Sequence, residues 1–227
     1  MRSSTFLGGI CLLPAVFAAF DLNRGGAVLK APAGDSFQSV TGTFTVPSLS
    51  GNSKLAIWIG IGDTANQDYV LRGGVKYDTN LKSFAGWLKG GYFPLNDTDT
   101  TSTVPVRASD SFVITVAVTS KTTGTVTIEN RTQNRRTTQT ITAPDSWDPE
   151  MLTSLAADWF VQGYQDAGEL ITTPRYGTVS FTAVGATLAS GRTVGATGAG
   201  RYEIQGTSGQ IYSQTTITSN GVSVRQM

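Results

Sequence analysis

Alternation of apolar and polar residues dominates the chain after Gly34. Residues 37–46 alternate around Val40 and Phe44, and 112–118 alternate apolar residues with Thr115 and Ala117. Val126 and Ile128 point one way while Thr125, Thr127 and Glu129 point the other, and 177–184 and 210–217 repeat the pattern. A period of two marks strands with one buried and one wet face. The many threonines fit half-exposed sheet faces, where β-branched side chains pack well. Turn residues punctuate the runs at Asp78-Thr79-Asn80, over 94–99, at Asn134 and at Asn220-Gly221. Short, closely spaced strands with no β-α-β rhythm predict an all-β antiparallel sandwich. Helix competes only over 148–159, where Asp148-Pro149-Glu150 is a helix-start signal, predicting about one turn running into a strand. Residues 185–200 are rich in Gly, Ala, Ser and Thr, but no Gly-Lys-Ser/Thr follows. They are expected to form a mobile surface loop rather than a phosphate-binding one.

Composition narrows the chemistry. The chain of 227 residues has no histidine and a single cysteine, Cys11. Arg2, the mostly apolar run over 6–17 and Val16-Phe17-Ala18 together read as a secretory leader over 1–18. Its apolar run is shorter than the ~20 residues of a membrane-spanning helix. The expected mature chain, 19–227, is then a single β-sandwich domain without a thiol, secreted or held in the lumen of the secretory pathway. Ser-His and Cys-His nucleophilic pairs are excluded, and so are the two best zinc ligands. Neither a metal nor another cofactor is expected. Without Arg2 the basic and acidic residues balance at sixteen each, which argues against a nucleic-acid or anionic-membrane partner. The sequons Asn96-Asp97-Thr98 and Asn130-Arg131-Thr132 lie in or beside turns, so Asn96 and Asn130 are expected to carry glycans.

Several segments, in order, carry a resemblance that spans the mature chain. They are Asn23-Arg24-Gly25-Gly26-Ala27-Val28-Leu29, Thr41-Gly42-Thr43-Phe44-Thr45-Val46-Pro47, Ile57-Trp58-Ile59-Gly60-Ile61 and Tyr176-Gly177-Thr178-Val179-Ser180-Phe181-Thr182. To these add Tyr69-Val70-Leu71-Arg72-Gly73-Gly74-Val75-Lys76-Tyr77 and Ala157-Asp158-Trp159-Phe160-Val161-Gln162-Gly163-Tyr164. Together they resemble the strands of the fungal glutamic peptidases, the eqolisins. The resemblance implies a lectin-like (concanavalin-like) sandwich of two bent antiparallel sheets with a concave cleft. In that family a glutamine holds the tetrahedral oxyanion and a glutamate is general base on a water. Arg72 stands at the glutamine's position and Gln162 at the glutamate's. The resemblance further implies that both project from neighbouring strands into one concave face.

The departures cluster at the site. Gly62-Asp63-Thr64-Ala65 lacks one acidic residue and a cysteine of the family pattern, and Arg24 replaces a usual tryptophan. Lys76 stands where an aspartate is usual. In Gly86-Trp87-Leu88-Lys89-Gly90-Gly91-Tyr92-Phe93-Pro94 either Lys89 or Gly91 takes a glutamate's place, and Tyr164 and Gln165 replace a Phe-Glu pair. An acidic cleft has become basic while strand positions keep their type. Charges in a low-dielectric cleft are costly unless paired, which favours repurposing over decay. Lys76 and Lys89 also fit a solvated rim.

A glutamine amide has no useful basicity, so proteolysis is expected to be lost. The opening motif at Asn23 follows the leader directly, so no basic pro-segment is expected. The expected function is a peptidase-inactive protein holding an anionic or carbonyl-rich small molecule through Arg72 and Gln162. Trp58, Asp63, Lys76, Trp87, Lys89, Tyr164 and Gln165 would line the same cleft. The alternative is a non-hydrolytic cyclase, isomerase or dehydratase acting on a natural product there. Residual acid proteolysis through Asp63, Asp68 or Asp158, and a purely structural surface protein, are the remaining readings.

Overall fold

The computed structural model describes residues 18–62, 69–90, 93–94 and 97–227, so Asp63, Asp68, Asn96 and nearly all of the leader lie outside the described residues. One sheet contains β1 (Ala19–Asp21), β2 (Arg24–Lys30), β4 (Lys54–Gly62), β5 (Tyr69–Asp78), β6 (Asn80–Lys89), β7 (Thr98–Asp99), β11 (Ala156–Gly163) and β16 (Gly200–Ile204). Its order is β1-β16-β2-β11-β4-β5-β6-β7. The second contains β3 (Phe37–Thr45), β8 (Ser111–Val118), β9 (Thr123–Asn130), β10 (Arg135–Thr142), β14 (Thr178–Leu188), β15 (Thr193–Val194), β17 (Ser213–Thr218) and β18 (Gly221–Gln226). It runs β10-β9-β8-β3-β14-β18-β17, with β15 pairing β14. A small separate ladder joins β12 (Gln165–Asp166) and β13 (Glu169–Leu170). Pairing is antiparallel except between β1 and β16.

The second sheet shows the alternation expected of it. In β9 Val126 and Ile128 are buried and Thr125, Thr127 and Glu129 are partly exposed. The first sheet behaves differently, because β4, β5 and β11 are buried along nearly their whole length. Their odd-numbered residues meet the second sheet. Ile57, Ile59, Ile61, Leu71, Val75, Trp159 and Val161 pack there with Phe44, Phe112, Ile114, Val126 and Phe181. Gly42 makes room for this layer, since a Cβ there would lie 2.9 Å from Ile59 Cδ1 and 3.2 Å from Trp159 Nε1. The even-numbered residues face the other way, onto the concave side, with Ala56, Trp58, Val70, Phe84 and Phe160 in a second apolar cluster. A strand buried on both faces is expected to be apolar throughout. Polar residues inside β5 and β11 therefore demand partners.

Asp148 caps a single 3-10 turn, Pro149–Met151, and β11 begins at Ala156, as the sequence pattern indicates. The 185–200 segment departs from the expected loop. Gly185 to Leu188 complete β14, β15 pairs back onto it, and Ala196 and Ala199 are buried. Small residues there serve close packing. Among the described residues no helix is long and apolar enough to cross a membrane.

Candidate functional site

The concave face is organised by β4, which runs between β11 and β5. Arg72 and Gln162 thus come from one sheet and one face, but not from neighbouring strands as the motifs implied. Gly60 stands opposite both Arg72 and Asp158, and Ala56 stands opposite both Gln162 and Lys76. The central strand offers small residues at both rows, and a Cβ on Gly60 would lie 3.1 Å from Arg72 Cβ. This low floor lets the arginine lie across β4 and reach the amide.

Arg72, Gln162 and Trp58 are buried to 1%, 0% and 0% exposure. Gln162 Oε1 accepts from Trp58 Nε1 at 2.9 Å and from Arg72 Nη1 at 3.2 Å. Both neighbours are pure donors, so the amide must present its oxygen to them, and its two lone pairs are engaged. The guanidinium also lies 5.3 Å from the Trp58 ring and 5.8 Å from that of Phe84, within cation–π range. Its Nη2 pairs with Asp97 Oδ2 at 3.4 Å. Arg72 Nε is buried with no hydrogen-bond partner among the described residues. Burial pulls the guanidinium down to about 10, against the attraction of Asp97 and with added repulsion from Arg24. At neutral pH it remains charged.

Lys76 is also buried. Its Nζ donates to the Pro94 carbonyl at 2.6 Å and lies 5.7 Å from the Phe84 ring. Burial lowers its ammonium below the ordinary lysine range, with Asp97 and Asp99 resisting. Tyr164 belongs to the concave cluster, where it meets Phe93 edge-on at 5.8 Å. Lys54 Nζ sits 4.7 Å from the centre of its ring.

Trp87 and Lys89 are not brought to the site. Arg72 pairs with Gly86, so Trp87 projects to the opposite face, where it packs against the inter-sheet core and meets Trp147. Lys89 shares that parity and is exposed, 5.4 Å from the Tyr69 ring and 5.8 Å from that of Trp147. Gln165 opens β12, and no hydrogen bond or ion pair among the described residues joins it to Arg72 or Gln162. Asp63 lies outside the described residues.

Three participants escaped sequence reasoning. Arg24 lies opposite Gln162, 5.7 Å from the Phe160 ring, and is held by Asp21 through Nη2 at 2.8 Å and Nε at 3.0 Å. Its substitution for tryptophan was the available signal. Asp158, considered only for residual proteolysis, is fully buried on the same face. By sequence Asp97 belongs to a turn and a sequon, and nothing local links it to a strand 25 residues earlier. Among the described residues no group of His, Cys, Asp or Glu is arranged to hold a metal.

Asn130, the second expected glycan acceptor, lies inside the fold. It is fully buried, and its Nδ2 donates to Pro105 O at 2.9 Å and Asp110 Oδ2 at 2.8 Å. The nitrogen that a sugar would need is committed to the interior of the folded protein.

The chain is 28% identical to Aspergillopepsin-2 of Aspergillus niger, over 90% of its own length and 77% of that protein. It is 30% identical to Scytalidopepsin B of Scytalidium lignicola over 57% of its length, spanning about half (48%) of that relative. A structure of scytalido-glutamic peptidase with a peptide-based transition state analog superposes with a TM-score of 0.74 at 22% identity, covering 91% of this chain and 99% of that one. Aspergilloglutamic peptidase from Aspergillus niger superposes with a TM-score of 0.63 at 26% identity, over 77% and 99%. The model of the Peptidase A4 family matches residues 22–226, and the chain belongs to that family, the eqolisins, whose β-sandwich it shares.

Proposed function

We propose that this eqolisin-fold protein does not hydrolyse peptide bonds and uses its concave face to hold a carboxylate or polarised carbonyl of a bound molecule on Arg72. The observation that carries this reading is the state of the guanidinium. It is buried to 1% exposure with Nε unpartnered and a carboxylate only at 3.4 Å. Charge-assisted pairs close to about 2.7–2.9 Å when satisfied, and an arginine fork prefers two parallel bonds. Arg72 thus retains unused capacity for an oxyanion in a low-dielectric setting, where such a bond is strongest.

Loss of proteolysis follows from the amide. Gln162 cannot accept a proton from water, and its oxygen is already shared by Trp58 and Arg72. Scytalido-glutamic peptidase has been seen with a peptide-based transition state analog, which supports a peptide-like ligand here. The leader-like 1–18 segment supports secretion.

The test is a calorimetric titration with N-acetyl-phenylalanine, a small aromatic carboxylate, beside its neutral amide. The carboxylate should bind and the amide bind far more weakly. Arg72→Met should lower the carboxylate's affinity by about 2–5 kcal/mol. Equal binding of both compounds, or binding untouched by the substitution, contradicts the reading.

A further inference from the structure

We propose that the protein's own Phe93, Pro94 and Asp97 occupy the place of the ligand. On this view the ligand is a chain-like molecule that carries an aromatic ring and, some atoms away, a free carboxylate, and it binds by displacing Asp97 from Arg72. This rests on the reading of Arg72 as an oxyanion site.

Three successive contacts carry the inference. The Phe93 ring is buried in the concave apolar cluster, edge-on to Tyr164. The next residue offers its carbonyl to Lys76 Nζ at 2.6 Å. Asp97 then places its carboxylate at Arg72 Nη2. Ring, carbonyl and carboxylate are groups that a foreign chain could present in the same order. Each meets a side chain of the floor, not a strand ladder.

The contact with Arg72 is also the weak form of such a pair, as a second pair in the same sheet shows. Asp21 holds Arg24 through both Nη2 at 2.8 Å and Nε at 3.0 Å, and its other oxygen accepts the backbone N–H groups of Asn23 and Arg24. That pair is locked. Asp97 touches Arg72 once, at 3.4 Å, and leaves Nε without a partner. A carboxylate free of the segment's geometry could take Nε and Nη2 together, the bidentate form.

Gly86 shows that the seat for Asp97 is built into the floor. A Cβ at that position would lie 2.1 Å from Asp97 Oδ1 and 2.8 Å from its Cγ. Any other residue would push the carboxylate off Arg72. Beyond Asp97 the chain is tied down, because β7 pairs with Phe84 and Ala85, and the buried Ser83 and Thr100 hydroxyls meet at 2.7 Å. The displaceable part therefore ends at the edge strand. Self-occupancy lowers apparent affinity by the fraction of molecules in which Asp97 has left the guanidinium.

The experiment uses the acetylated, amidated pentapeptide Phe-Pro-Leu-Asn-Asp, the sequence of residues 93–97, titrated calorimetrically into the full chain. Two variants are compared with the native protein. Asp97→Asn keeps size and removes the competing charge, and Gly86→Ala fills the carboxylate's seat with a Cβ. Asp97→Asn should bind the peptide at least tenfold more tightly than the native chain, whereas Gly86→Ala, which blocks the seat for any carboxylate, should show no gain. A control peptide ending in asparagine should show no such gain. Equal affinity across all three proteins, or an equal gain for the asparagine peptide, overturns self-occupancy. If N-acetyl-phenylalanine still binds the native chain through Arg72 in that case, the oxyanion reading stands alone. If neither probe binds any of the three proteins, both fall.

Discussion

Arg72→Met separates a site residue from a structural one. The substitution keeps an unbranched apolar stem over Trp58 and removes the charge. Burial lowers the guanidinium from the ordinary arginine range to about 10. At 1.36 kcal/mol per unit, the buried charge costs the fold roughly 3 kcal/mol net of its attraction to Asp97. Methionine recovers that cost. It loses the cation–π contacts with Trp58 and Phe84, about 1–2 kcal/mol together. These terms largely offset each other, so the variant should unfold within about 2 kcal/mol of the native protein in urea at pH 7. Breaking a well-formed buried ion pair costs about 3–5 kcal/mol, and a loss of that size would refute the reasoning. The pH dependence has a definite sign. Because the folded-state value is depressed, the unfolded chain holds the Arg72 proton more tightly, and the penalty is fully present below pH about 10. It fades as pH rises from there toward the ordinary arginine range. The native protein should therefore gain on Arg72→Met over that interval.

Digestion of a denatured protein across roughly pH 2–6, where a carboxylate base titrates, should show no cleavage; cleavage abolished by Asp158→Asn would reveal a base other than residue 162. Asn130→Ala should cost about 2–3 kcal/mol in a thermal or urea melt, because it strips buried Asp110 of a donor, and peptide mapping of the folded protein expressed in a glycosylating host should find Asn130 unmodified. Gly74→Ala places a Cβ 2.0 Å from the Ile57 carbonyl oxygen, a backbone atom that cannot swing aside. It should cost about 1–3 kcal/mol or more, and a melt unchanged from the native one would mean that β4 and β5 yield more readily than their packing indicates.

The strands that sequence reading located most directly are those with one wet face. Thr125, Thr127 and Glu129 alternate with Val126 and Ile128 because one set touches water, and that contrast is the signal. In β4, β5 and β11 both faces are covered, the contrast vanishes, and family motifs alone marked the elements. The same motifs brought Arg72, Gln162, Trp58 and Lys76 to one face, yet misplaced Trp87 and Lys89. A strand's period of two makes the face depend on parity, and the pairing of Arg72 with Gly86 fixes the parity of β6. That pairing is a property of the sheet, not of either segment. Asp97 was invisible for a related reason, since its carboxylate reaches Arg72 only after β6 has crossed the sheet and the chain has turned back. A sequon states an acceptor type and says nothing about burial, so Asn130 looked available until its contacts with Pro105 and Asp110 were in place.

The central claim is that the Arg72 guanidinium receives a ligand oxyanion that is not then cleaved. Nitrogen-detected NMR of arginine-labelled protein, titrated with N-acetyl-phenylalanine and assigned through Arg72→Met, tests it at the atom concerned. The account predicts that the Arg72 Nε and Nη resonances shift saturably and sharpen as the fork engages in two bonds, while the locked Arg24 signals move little. Arg72 resonances that stay fixed at saturating carboxylate would contradict it.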